Sequence, residues 1–168
     1  MKNIGVKVCL AIFCVLALVG FAARADDDEL VLKAKLNGFE EVPSHLTNGN
    51  GTFRATVAGG AISYTLTFAD LTSTAVASHI HFAQRGVSGG IFAFLCGGGG
   101  KPACPPAGGT VTGTIVAADI LAVPAQGIAA GDFAGALRAI RSGNTYANVH
   151  STTFPAGEIR GQIRVQED

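Results

Sequence analysis

The sequence predicts a mainly β fold, an antiparallel two-sheet, Greek-key-like sandwich of about eight strands with one short helix. Three observations predict it. From Leu30 onward the chain breaks into short runs in which apolar and polar residues alternate with period two. The runs are separated by Gly, Asn, Asp and Pro, and glycine fills 23 of 168 positions, a density that suits many turns and disfavours long helices. Only one segment carries helical spacing.

Taken in order, Lys2 and Lys7 precede an apolar stretch from Val8 to Ala23, and Ala23-Arg24-Ala25 places small residues where a signal peptidase reads. The stretch is 16 residues long, short of the ~20 that cross a bilayer, and Asp26-Asp27-Asp28-Glu29 follows at once. Residues 1–25 are therefore predicted to be a signal peptide. Cys9 and Cys14 lie inside the apolar run rather than at the cleavage point, which argues against a lipid anchor. The mature chain, 26–168, is expected to be one exported domain, periplasmic or extracellular, with no transmembrane segment.

Strands are expected at Leu30 to Leu36, Thr52 to Ala58, Ala61 to Phe68, Val76 to Phe82, Gly90 to Leu95, Thr110 to Val116, Tyr146 to Ser151 and Glu158 to Val165. The run Ala61 to Phe68 is the clearest: Ile62, Tyr64, Leu66 and Phe68 point one way and Ser63, Thr65 and Thr67 the other. Gly59-Gly60 supplies the positive φ angles of a two-residue hairpin turn. In Asp132 to Arg141, Phe133, Leu137 and Ile140 recur at helical spacing, Asp132 can cap the first turn, Arg138 and Arg141 suit the last, and Gly143 can end it. The Gly97 to Gly109 stretch is too rich in glycine and proline for regular structure. Asn50-Gly51-Thr52 fits the N-glycosylation pattern, which by itself is a chance match.

Lys and Arg number 12 against 12 Asp and Glu, and removal of Lys2, Lys7 and Arg24 leaves nine basic residues and a net charge of −3. Nothing in that balance invites nucleic acid. The remaining cysteines, Cys96 and Cys104, are joined by a glycine-rich loop and read as a disulfide in an oxidising compartment. A metal thiolate pair or a redox dithiol fits less well, because seven intervening residues match neither Cys-x-x-Cys pattern.

Any chemistry rests on histidine. His79 and His81 stand two apart in a strand, so both imidazoles leave the same face, which is how a sheet offers two ligands to one metal ion. His150 is the third candidate: Ala147 and Val149 face the core while Tyr146, Asn148 and His150 face away. Three imidazoles suit copper or zinc better than magnesium or calcium. Asn148, Glu158 and Arg160 are candidates to support the ligands, Glu158 by accepting an imidazole's second N–H, or to form with them a polar binding patch. Neutral imidazole is the ligand form, so affinity is expected to fall below the ~6.5 reference pKa of histidine. His45 has no partner pattern and reads as surface.

Phe39-Glu40-Glu41-Val42-Pro43, Ala77-Ser78-His79-Ile80-His81 followed by Gly86 and Gly89-Gly90, and Tyr146-Ala147-Asn148-Val149-His150 followed by Pro155-Ala156-Gly157-Glu158-Ile159-Arg160-Gly161-Gln162 together resemble a CHRD (chordin-type) domain over nearly the whole mature chain. Ser151 stands where the family usually has Thr, and keeps the hydroxyl. CHRD domains occur repeated in chordin, an extracellular antagonist of growth factors, and singly in many microbial exported proteins. The resemblance implies a secreted β domain and does not imply an enzyme. A looser likeness to copper-zinc superoxide dismutase, through the His-x-His strand pair, is incomplete, since no bridging histidine and no zinc loop is visible.

Three functions compete: a binding module holding copper or zinc, or a protein or envelope partner; a structural envelope or matrix protein without metal; and, less favoured, a metal-dependent redox or hydrolytic enzyme. No Ser-His-Asp order, phosphate loop or nucleotide fingerprint is present, so no catalytic residue is assigned.

Overall fold

The computed structural model describes residues 29–166. The predicted signal peptide over 1–25 lies outside the described residues. Nine strands follow: β1 (Leu30–Asn37), β2 (Asn50–Ala58), β3 (Ala61–Ala69), β4 (Ala75–Phe82), β5 (Gly90–Cys96), β6 (Gly109–Ile115), β7 (Thr145–Ser151), β8 (Ile159–Gln162) and β9 (Arg164–Val165). The helix α1 (Phe133–Arg141) lies between β6 and β7.

The strands form one antiparallel sheet in the order β5-β4-β7-β8-β1-β2-β3-β6, with β9 also paired to β1. Its two ends approach each other. Tyr64 Oη of β3 donates to the Leu95 carbonyl of β5 at 2.6 Å. Cys96, the last residue of β5, is disulfide-bonded to Cys104, whose chain leads directly into β6, with Cα atoms 5.0 Å apart. The sheet is thus nearly closed and barrel-like, which corrects the expected two-sheet sandwich. Alternation reports only that one face of each strand is buried, and a sandwich and a closing sheet satisfy that equally. Accumulated right-handed twist curls a sheet of this many strands until its edges meet.

Local expectations fare better. Gly59 and Gly60, at φ 55° and 75°, make the two-residue turn that pairs Ala58 with Ala61. Asp132 caps α1, its side chain accepting from Gly135 N at 2.8 Å, and Gly143 at φ 71° follows its end. The helix buries Ala136, Ala139 and Ile140. The expected final strand is broken at Ile163, whose N–H turns to Thr145 O, so β8 and β9 are separate and Glu158 precedes the sheet.

The two halves of the sheet differ. In β2, β3 and β6, Phe53, Ile62, Leu66, Phe68 and Val111 face the core while Thr52, Thr65, Thr67, Thr110 and Thr112 remain exposed. All seven residues of β7 are buried, as are His79, Ile80 and His81 of β4 and Arg160 of β8. These strands are covered on both faces, by the core within and by irregular chain segments without. The face of β4, β7 and β8 that points away from the core is therefore covered rather than solvated.

Candidate metal centre

β4 and β7 are neighbours, with His79 opposite Asn148, His81 opposite Tyr146 and Ala77 opposite His150. The period of two sends Ile80, Ala147 and Val149 into the core, each 0% exposed, and sends the three histidines to the opposite face. There the structure brings His79, His81 and His150 together, one ring nitrogen from each lying within 4.8 Å of the others. They are only 6%, 7% and 8% exposed.

Backbone carbonyls fix two of the rings. His81 Nδ1 lies 2.9 Å from Gly89 O, and His150 Nδ1 lies 2.9 Å from Pro155 O. A carbonyl oxygen can only accept, so both Nδ1 atoms carry the proton and both Nε2 atoms carry a lone pair. His150 Nε2 must then accept at its 3.0 Å contact with His79 Nδ1. His81 Nε2 is buried and has no hydrogen-bond partner. Carbonyls that hold one imidazole nitrogen and free the other are the usual orienting groups behind metal-bound histidine.

Aromatic packing completes the frame. The ring of Tyr146 lies parallel to that of His81, 6° between planes and 4.6 Å between centroids. On Tyr146 also rests the Arg160 guanidinium, its carbon 3.4 Å from the ring centroid. Arg160 donates through Nη2 to Gln84 O at 3.1 Å and Val87 O at 2.9 Å, so it straps the 83–89 segment over the site. The phenyl ring of Phe94 on β5 meets His79 edge-on at 4.5 Å.

Burial decides the protonation states. It pushes His79 down to about 3, and the neighbouring His150 and His81 push the same way. It pushes His81 down to about 4 against the opposing Gly89 carbonyl, and it lowers His150 against the opposing Pro155 carbonyl. At neutral pH all three are neutral, the form in which imidazole binds metal.

Of the expected supporting residues, Asn148 lies among the imidazoles, 1% exposed. Arg160 acts through Tyr146 and the overlying segment. Glu158 is corrected: it bonds no imidazole, and its Oε1 accepts from Thr47 Oγ1 at 2.6 Å, Thr72 N at 2.7 Å and Thr72 Oγ1 at 2.8 Å. Burial raises its carboxyl, but hydrogen bonds from Ser151, Thr47 and Thr72 outweigh burial and hold it below the usual range. The break before β8 explains the difference, since Glu158 is not in the alternation that aims Arg160. His45 packs on Phe154 with ring centroids 4.4 Å apart, away from the trio.

Sequence reasoning missed Glu41. It is 8% exposed, and burial pushes its carboxyl up to about 7 against the pull of Arg160 and a bond from the Val42 backbone. Its place beside Asn148 follows from the loop that carries it, which no periodicity reports. The Gly89 and Pro155 carbonyls were illegible for another reason, because every residue has one.

Compared with known families, residues 32–163 match the CHRD domain. No curated protein and no solved structure matches the chain.

Proposed function

Because the chain belongs to the CHRD domain family, and because its three buried imidazoles bring one ring nitrogen each within 4.8 Å of the others, we propose that it is an exported binding module that holds one copper(II) or zinc ion. The ligand atoms are Nε2 of His81, Nε2 of His150 and Nδ1 of His79, the last releasing to its other nitrogen the proton it shares with His150. The observation that carries this reading is the pair of carbonyl bonds that leave the two Nε2 lone pairs facing inward. Three nitrogen ligands and an open position suit both ions, with copper favoured in the intrinsic order of affinity. Export is supported by the Cys96–Cys104 disulfide, which belongs to oxidising compartments.

Calorimetric titration of Cu(II) and Zn(II) into the wild type and into His81→Ala tests the reading. One equivalent is expected to bind the wild type, and the variant is expected to bind at least tenfold more weakly. Equal binding by both proteins would favour a second reading, a structural module in which the trio is only a buried polar network. The direct His79–His150 hydrogen bond is the observation on that side.

A further inference from the structure

Three buried acceptors near the trio have no hydrogen-bond donor among the described residues: His81 Nε2, Asn148 Oδ1 and Glu41 Oε1. Buried polar atoms in folded proteins are rarely left so, since each has given up its hydrogen bonds to water with nothing in exchange. These three are neighbours. Asn148 stands opposite His79 on β4 and opposite Arg160 on β8, and its side chain lies against His81. Gly157 joins it to Glu41: a Cβ on that glycine would fall 2.5 Å from Glu41 Oε1 and 3.1 Å from Asn148 Nδ2. Gly157 has φ 130°, so its backbone also requires glycine, and the two polar side chains close over its bare Cα.

Acceptors alone attract a guest that brings positive charge or protons. A divalent ion on the trio with one water on its open position meets all three demands: the ion takes the His81 lone pair, and the water has two protons to give. Glu41 is not itself a ligand, because no carboxylate oxygen falls within the 4.8 Å cluster of ligand atoms. The Arg160 guanidinium keeps a counter-charge near the carboxylate.

We propose that Glu41, with Asn148, forms the outer wall of the metal centre and accepts the protons of a water bound at the ion's fourth position. The inference rests on the metal reading above. It makes Glu41 a positioning residue with two effects once an ion on the trio holds it in its charged form: that charge strengthens divalent-ion binding, and it repels anions that compete for the open position.

The test uses the full chain loaded with Co(II), whose visible spectrum reports coordination, in the wild type, Glu41→Gln and Glu41→Asp, with azide as the competing anion. Glu41→Gln is expected to bind Co(II) about threefold to tenfold more weakly and azide at least tenfold more tightly, while Glu41→Asp, which keeps the charge, stays within about threefold of wild type on both. X-ray absorption of the Co(II)-loaded wild type, which needs no variant to fold, is expected to show imidazole nitrogens together with an oxygen neighbour. Co(II) and azide affinities in Glu41→Gln within twofold of wild type overturn the role of Glu41 and leave the metal reading standing, as does a wild-type shell without oxygen. A wild type that takes up no Co(II) overturns both.

Discussion

Arg160 shows how much one side chain carries in this protein. It is 1% exposed, lies flat on Tyr146 and holds two carbonyls of the segment that roofs the histidines. Lysine keeps the charge but has neither the planar face nor the fork. Arg160→Lys is expected to destabilise the fold by about 2 kcal/mol, through the lost stacking and at least one lost charged hydrogen bond, read as a lower urea midpoint with unchanged slope. Gly157→Ala should cost about 1–3 kcal/mol for the backbone conformation alone, and more if Glu41 cannot move away from the added methyl. Both residues belong to the closing motif that the sequence displays plainly, yet neither role can be inferred from spacing. The sequence marks Arg160 as a candidate support or binding-patch residue, but only the folded 83–89 segment gives it the carbonyls it holds.

Strands β4 and β7 carry the pH response. A histidine whose folded pKa lies below its unfolded value binds fewer protons when folded, so stability is full above about pH 6.5 and is lost as pH falls toward the folded values. With His79 at about 3 and His81 at about 4, the metal-free protein is expected to lose stability progressively from pH 6.5 down to about pH 3 to 4. Urea titrations at stepped pH measure it, and a flat profile over that window would contradict neutral burial of the trio. The same burial changes the expectation for metal. Protons compete with the ion only where the folded site takes them up, so Zn(II) affinity should persist below pH 6.5 rather than fail there, reduced by no more than the threefold to tenfold that protonation of Glu41 removes. Calorimetry at pH 5 decides between the two, a loss of more than tenfold relative to pH 7 indicating solvated imidazoles.

At the scale of the whole molecule, the disulfide and the Tyr64 bond to Leu95 fasten one end of a nearly closed sheet to the other. The loop closed by Cys96 and Cys104 is short, with a sequence separation of 8, so loss of the bridge should cost only about 2.5 kcal/mol in chain entropy. The double variant Cys96→Ser/Cys104→Ser is expected to unfold at a lower temperature, with hydrogen-exchange protection lost first along β5 and β6 and last in β1 and β2. Uniform loss would mean that the seam does not depend on the bridge. The sequence by itself determined every strand up to β7 with its inward residues, the hairpin at Gly59-Gly60, the capped helix and the shared face of His79 and His81, because each follows from neighbours a few positions apart. Tertiary structure alone decided that the sheet closes on itself, that His150 meets the pair, that Glu158 turns away to Thr47 and Thr72 while Glu41 comes in, and that the histidine face is covered. Those outcomes depend on which strands pair and which loops fold over them, and contacts between distant segments leave no period in the chain.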